Sequence, residues 1–262
     1  MIVHYRGGDH LARCVESCLA SPGTAEVLVV DNEGVGDRLR AQFAGDDRVA
    51  VVQSPGNLGF GRAANVGLGL ARSAAVLVLN QDVVVPAETV EAMLDAGRES
   101  GAWIVAPRLQ DGDGHERSRK VGFAPPLAWA PPAGAAAPNG PWRFAPYVVG
   151  AVMLFMPGHT DLRFDDRFFM YGEDEDIGWR VWQAGGSIVA LEDHWATHVG
   201  GTATATKWSP RKTEWRILWA RGRFIRKHAG WPGLLRFAAA WSATTVRARS
   251  APLSKGRSAR SR

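Results

Sequence analysis

The first hundred residues of this chain alternate strand-like and helix-like segments at a spacing that implies a parallel α/β sheet with helices on both faces. The predicted strands are Met1–Tyr5, Glu26–Asp31, Arg48–Val52, Ala75–Asn80 and Ala102–Ala106. Between them Asp9–Ala20, Gly36–Phe43, Phe60–Arg72 and Pro86–Gly101 read as helical crossovers. Strand ends at Tyr5–Arg6, Asp31–Asn32, Gln53–Ser54 and Asn80–Asp82 are polar, so they should converge on the sheet edge where open α/β folds bind ligands.

The pattern then breaks. Pro107–Pro146 carries eight prolines and little periodicity, which reads as a long loop or insertion over the site. Within it, Asp111–Gly112–Asp113–Gly114 lacks the later glutamate of a calcium loop and reads as a surface turn. Tyr147–Phe155 returns as a strand, with Ser187–Leu191 and Trp195–His198 as short strand candidates. Thr213–His228 and Trp231–Thr245 read as two helices, and the composition of the remainder to Arg262 predicts disorder.

At 262 residues and 46% hydrophobic content the chain can bury one sizeable core. No stretch approaches the ~20 uncharged apolar residues of a membrane span. Strand-like sequence begins at Met1, which leaves no room for a signal peptide, and its abruptness points to residues preceding Met1. Cys14 and Cys18 share a helical face without further cysteines, which suits small core residues in a reducing, cytoplasmic setting. From Lys207 onward there are 15 Lys and Arg against the single acid Glu214, leaving 16 basic and 25 acidic residues before it. The body is therefore about −9 and the tail about +14.

Two acidic sites stand out. Val76–Leu79 is an apolar strand ending in Asn80, Gln81 and Asp82, and a hard oxygen ligand at that edge suits Mg²⁺ or Mn²⁺ with a diphosphate completing the shell. Far along the chain, Phe164–Asp176 packs six carboxylates around a run of aromatics and leads into a helix with acids in its first turn. Asn57–Leu58–Gly59–Phe60–Gly61, followed by Asn65–Val66–Gly67, makes a Gly/Asn-rich entry to a helix where backbone amides can approach a ligand. Asp31 could hold a base or ribose. His194 and His198 lack the order of a zinc helix, though His198 could complete a divalent site with Asp82.

Taken in order, His4–Tyr5–Arg6, Val29–Asn32, Asn57–Gly61 with Asn65–Gly67, Leu79–Asp82, Phe164–Asp176 and His198–Gly201 resemble the glycosyltransferase family 2 enzymes of GT-A fold, particularly their rhamnosyltransferase-like branch. The resemblance spans about residues 1–230 and implies a metal-dependent, inverting transferase of cell-envelope polysaccharide or glycolipid assembly. It implies a nucleotide-sugar site at Tyr5, Asp31, Asn57, Gly59, Arg62, Asn65 and Asn80. The metal would sit on Asp82 and His198, the general base would be Asp174, and Glu173, Asp176 and Trp179 are acceptor-site candidates. Asn80 replaces the first Asp of the family's D-x-D. Arg6 and Glu33–Gly34–Val35 also depart from the family pattern.

The expected architecture is thus a GT-A-like catalytic domain over residues 1–206 with a basic helical extension over 207–262. Residues 1–106 form its nucleotide-sugar half and 147–206 its acceptor and base half. The expected donor is dTDP- or UDP-linked and the acceptor a glycan or lipid-linked glycan. Like charge from Glu173 and Asp176 should raise the proton affinity of Asp174, which suits a base. In the tail, Trp215, Leu218 and Trp219, then Trp231, Leu234, Leu235, Ala238 and Trp241, recur at helical spacing among cations. The first helix should pack on the body and the second contact an anionic membrane surface at its cytoplasmic face. No nucleic-acid-reading fold accompanies the tail. A non-catalytic sugar-nucleotide binder or scaffold and a nucleotidyltransferase remain as alternatives.

Overall fold

The computed structural model describes residues 1–117, 122–123, 126–131, 141–199 and 209–250. In chain order the elements are β1 (Ile2–His4), α1 (His10–Leu19), β2 (Val27–Asp31), α2 (Gly36–Gln42), β3 (Val49–Gln53) and α3 (Phe60–Leu70). They continue with β4 (Val76–Asn80), β5 (Val83–Val84), α4 (Ala87–Ser100), β6 (Ile104–Gln110), β7 (Trp142–Phe144) and β8 (Val152–Phe155). Then come α5 (Glu173–Gln183), β9 (Ile188–His198) and the long α6 (Pro210–Ser250). The expected Gly200–Gly201 pair, the start of the tail at Lys207 and the chain beyond Ser250 lie outside the described residues, as does most of 118–140.

Among the described residues the strands form one sheet in the order β3-β2-β1-β4-β8-β6-β9-β5, with β7 pairing further along the same edge of β9 as β5. The first four neighbours, β3 to β4, are parallel, as the alternating pattern requires. The second half is mixed: β8 runs antiparallel between β4 and β6, and β6 and β9 are parallel. Strand β6 extends to Gln110, further than the proline-rich segment suggests, because Pro107 falls at a register shift between Ala106 and Arg108 where no ladder donor is needed. Likewise β9 is one eleven-residue strand, not two: residues 191–194 bulge out between its Ala106↔Ala190 and Arg108↔Trp195 pairings with β6 without ending the strand. Tyr147–Phe155 contributes a strand only from Val152.

One core layer, including Ile2, Leu11, Val29, Leu79 and Met93, lies under α1, α2 and α4. The opposite layer, including Val30, Ala63, Val78, Phe155 and Ile177, lies under α3 and α5. Cys14 and Cys18 are free and buried in the first layer, as expected of small core residues. A third, aromatic cluster of Phe123, Tyr147, Phe168, Phe224 and Ile225 joins the tail to the body. Helix α6 breaks at Gly230, whose φ of 65° and ψ of −166° only glycine adopts without strain, giving limbs 210–229 and 231–250.

Candidate active site

The carboxyl ends of β1, β2 and β4 open onto a cleft of about 290 Å³ walled on its far side by the start of α5. Its lining includes Tyr5, Asn32, Asn57, Gly59, Asn80, Asp82, Glu173, Asp174 and His198. A larger hollow of about 450 Å³ opens at the opposite ends of β2 and β4 and holds none of the residues predicted for the site.

Backbone pairing brings Asp82 and His198 together. Val83 on β5 is in register with His198 on β9, and the Val199 N–H donates to the Asp82 carbonyl at 3.1 Å. The His198 Nε2 consequently lies 3.3 Å from Asp82 Oδ1, although 116 positions separate them in sequence. One carboxylate and one imidazole converging at a sheet edge, beside an open cleft, form a donor set suited to Mg²⁺ or Mn²⁺ with further oxygen ligands from a substrate. Among the described residues, a closer trio of potential ligands is Asp111, Asp113 and His115. There the Asp111 carboxylate accepts the Asp113 and His115 N–H groups and pairs with Arg117, which is the surface turn expected from the sequence.

The Gly/Asn-rich loop is organised by Asn32, which sequence reasoning did not single out. Its Oδ1 accepts from the Leu58 N–H and the Ser54 hydroxyl, and its Nδ2 donates to Asn57 Oδ1 and the Gly59 carbonyl. Gly59 has φ of 80°, and a Cβ there would lie 1.9 Å from the Phe169 carbonyl oxygen. No side chain fits, so α3 and the Phe164–Tyr171 segment meet backbone to backbone. Gln81 was also missed: its amide accepts from the Tyr5 N–H and donates to the Tyr5 carbonyl, both at 2.6 Å.

Asp31 is fully buried behind the cleft lining. Its Oδ1 accepts the Glu33 and Gly34 N–H groups at 3.0 Å, and its Oδ2 has no hydrogen-bond donor among the described residues. Arg62 and Asn65 do not line the cleft. Asn65 clamps the Phe164 backbone from both sides, and the Arg62 guanidinium donates to the Asp166 carbonyl. Both side chains therefore fasten α3 to the acidic segment instead of facing a ligand.

The acids of α5 divide by helical position. Glu173 and Asp174 face the cleft, whereas Asp176 is turned beneath the tail. Asp176 accepts from Lys227 and His228 on one oxygen and from Arg180 on the other. Burial alone would raise its pKa, but those three donors together hold it below the usual value. Trp179 belongs to the aromatic cluster, edge-on to Phe123 and close to Phe224. The acceptor-site expectation for Asp176 and Trp179 is thereby corrected: they dock the tail, whose cations a sequence reading has no means of placing.

Both cleft acids have raised pKa values, and burial is the main cause. For Glu173 the charge of Asp174 adds to burial and lifts it to about 8. For Asp174 burial is opposed by N–H groups of Glu175 at 2.8 Å and Gly150 at 3.3 Å, and by the charge of Arg221. The expected crowding by Asp176 does not operate, because that carboxylate is neutralised by its partners. Near neutral pH the arrangement favours a proton on Glu173, while the backbone N–H groups and Arg221 favour the charged form of Asp174 against its burial. Arg221 reaches this wall from α6 and hydrogen bonds Tyr147, a contact hidden in sequence among the tail's many cations.

Glu173 yields a stability prediction. Its folded pKa of about 8 exceeds the unfolded value of 4.5, so protonation favours the folded state. That contribution is complete below pH 4.5 and lost as pH rises to about 8. Glu173→Gln is expected to flatten this slope and to stabilise the protein at pH 8 by up to roughly 4 kcal/mol, with little change at pH 5. Urea unfolding at the two pH values measures it; equal slopes in both proteins would refute the assignment.

Comparison with known proteins follows the same lines. Residues 1–149 match the family model of glycosyl transferase family 2. The succinoglycan biosynthesis protein ExoO of Rhizobium meliloti is 34% identical over 112 residues, covering 42% of this chain and 32% of that protein. The N-acetylglucosaminyl-diphospho-decaprenol L-rhamnosyltransferase of Mycobacterium tuberculosis is 26% identical over 263 residues, covering 87% and 84%. In structure, GalNAc-T7 with UDP, GalNAc and Mn²⁺ aligns with a TM-score of 0.61 at 16% identity, over 75% of this chain and 42% of that one. Staphylococcus aureus TarS 1–349 aligns at 0.57 and 16%, over 87% and 72%. The chain thus spans about a third of ExoO and under half of GalNAc-T7, and the structural likenesses speak for a shared GT-A fold. Since the matched residues make up more than half of its length, the chain belongs to glycosyl transferase family 2.

Proposed function

We propose that this protein is a metal-dependent, inverting glycosyltransferase that moves a sugar, with rhamnose the first choice, from a nucleoside-diphosphate donor to a lipid-linked glycan of the cell envelope. The observation that carries the reading is one cleft holding the Asp82–His198 pair on one wall and the Asp174 carboxylate on the other. Residues 1–106 supply the donor half and 147–206 the base half. The unpartnered Oδ2 of Asp31 suits the imide N–H of a uracil or thymine ring, in keeping with a UDP- or dTDP-linked donor. The acceptor assignment takes support from the diphospho-decaprenol acceptor in the name of the mycobacterial relative.

In this reading Asp174 takes the proton of the acceptor hydroxyl as its oxygen bonds to the anomeric carbon. The bond from that carbon to the donor diphosphate breaks, and its electron pair leaves with the nucleoside diphosphate. Attack opposite the leaving group inverts the centre, so one carboxylate suffices. Asp82 and His198 would hold the divalent ion, whose chemistry when bound is neutralisation of charge on the leaving diphosphate. A protonated Glu173 beside the base keeps a second negative charge out of the cleft.

No helix among the described residues is long and apolar enough to cross a membrane. The solvent face of α6 carries Trp215 and Trp219, 63% and 71% exposed, and its second limb carries Trp231 and Leu235, 60% and 68% exposed. Such aromatic and basic helices suit peripheral contact with an anionic leaflet, by both limbs and not the second alone.

The test is thermal stabilisation of the whole chain by UDP, dTDP and their sugars with Mn²⁺, Mg²⁺ or EDTA. A ligand at ~100 times its dissociation constant stabilises by about 2.7 kcal/mol. Asp82→Ala is expected to abolish the metal-dependent part of that shift, and an undiminished shift in the variant would refute the metal role.

A further inference from the structure

Beside the donor cleft lies a second groove of about 330 Å³, between limb 210–229 and the Phe168–Tyr171 segment. Met170 and Tyr171 line both, so the two spaces adjoin across these residues. Tyr171 has a φ of 67°, a conformation costly for a bulky residue, and it holds the ridge between them. The groove's outer wall pairs two exposed indoles, Trp215 and Trp219, with two guanidinium groups, Arg216 and Arg223. Arg223 donates to the Arg167 carbonyl, which uses part of a five-donor fork. Arg216 and Arg223, with no acid among the groove's lining residues, make this wall positive.

Flat, exposed indoles and forked cations on one wall match an amphiphile with an anionic head: apolar chain on the rings, paired phosphates on the guanidiniums. We propose that this groove is the acceptor subsite, taking a lipid-linked diphosphate whose chain lies on Trp215 and Trp219, whose diphosphate meets Arg216 and Arg223, and whose glycan end passes over Tyr171 into the cleft. It rests on the transferase reading, and it assigns to the tail the recognition of the acceptor in addition to membrane contact. Charge complementarity and adjacency to the cleft select this occupant over an apolar peptide, which would make no use of the guanidinium groups.

The test titrates the full chain with farnesyl diphosphate in EDTA, so that no ion at Asp82 can capture the diphosphate, alongside farnesol, inorganic diphosphate and phosphatidylglycerol vesicles. Farnesyl diphosphate is expected to bind at least about tenfold more tightly than farnesol or inorganic diphosphate, and Trp219→Ser and Arg223→Gln are each expected to weaken it about tenfold. Equal binding of farnesol or of inorganic diphosphate, or affinity unmoved by both substitutions, would overturn the proposal. So would vesicle binding without farnesyl diphosphate binding, which would leave the wall as a membrane surface only. Nucleoside-diphosphate binding with Mn²⁺, measured on the same proteins, should be unchanged by either substitution. Its absence from the unsubstituted chain, with farnesyl diphosphate still bound, would remove the functional reading and leave the groove a lipid-diphosphate site.

Discussion

Asp174→Asn is expected to lower sugar transfer by about 10²–10⁴-fold while sparing metal-dependent binding of the nucleoside diphosphate. The side chains have nearly the same shape, and the amide oxygen can still accept the Glu175 N–H that holds one oxygen of Asp174, although the Gly150 N–H on the other oxygen loses its acceptor. What the amide cannot do is take a proton from an attacking hydroxyl. Burial raises the pKa of Asp174, so the acid limb of the pH–rate profile should lie above the range of an ordinary aspartate, with activity rising as pH increases through it. Steady-state transfer and nucleotide titration on one preparation separate the two effects. Turnover near the unsubstituted level would dismiss Asp174 as the base and turn attention to Glu173.

Asp176→Ala should produce the largest loss of stability, about 3–5 kcal/mol. Its carboxylate is wholly buried and shared by Arg180, Lys227 and His228, with Asp165 as a second acceptor for Lys227. Removing it leaves cations from the tail facing the body without their main counter-charge, next to Phe224 and Ile225, which are themselves buried. The first limb of α6 should then detach before the sheet unfolds. Denaturant unfolding reports the cost, and limited proteolysis within 210–229 reports the detachment. A stable variant with an undigested limb would mean that the aromatic cluster alone holds the tail.

These two acids show where a sequence can and cannot be read. The parallel first half was legible because strand and crossover patterns depend on local hydrophobic periodicity, and β1 to β4 each obey it. Asp82 and the acids of 164–176 stand out in sequence because a carboxylate following an apolar strand, or crowded among aromatics, is out of place unless used, but only the family resemblance picks Asp174 from its neighbours. By contrast, Asp174 and Asp176 are two positions apart on one helix, and which faces a cleft depends on what packs against α5. That information sits in Lys227 and His228, some fifty residues away and indistinguishable in sequence from the other cations of the tail. Asn65 and Arg62 were misplaced for the same reason, their partners being the backbone of a distant segment.

The fastening of Tyr5 by Gln81 has a consequence for how such chains diverge. The middle residue of Asn80–Gln81–Asp82 does not face the cleft as a free choice between two functional neighbours: its amide replaces a missing stretch of ladder between β1 and β4. A Cβ on Gly7 would come within 2.6 Å of that same amide carbon. Positions 7 and 81 therefore form a lock closed on the Tyr5 backbone, and substitutions at these two positions should be strongly non-additive. A chimaera that takes its first strand from one relative and its fourth from another would inherit mismatched halves of that lock, however well each parent folds.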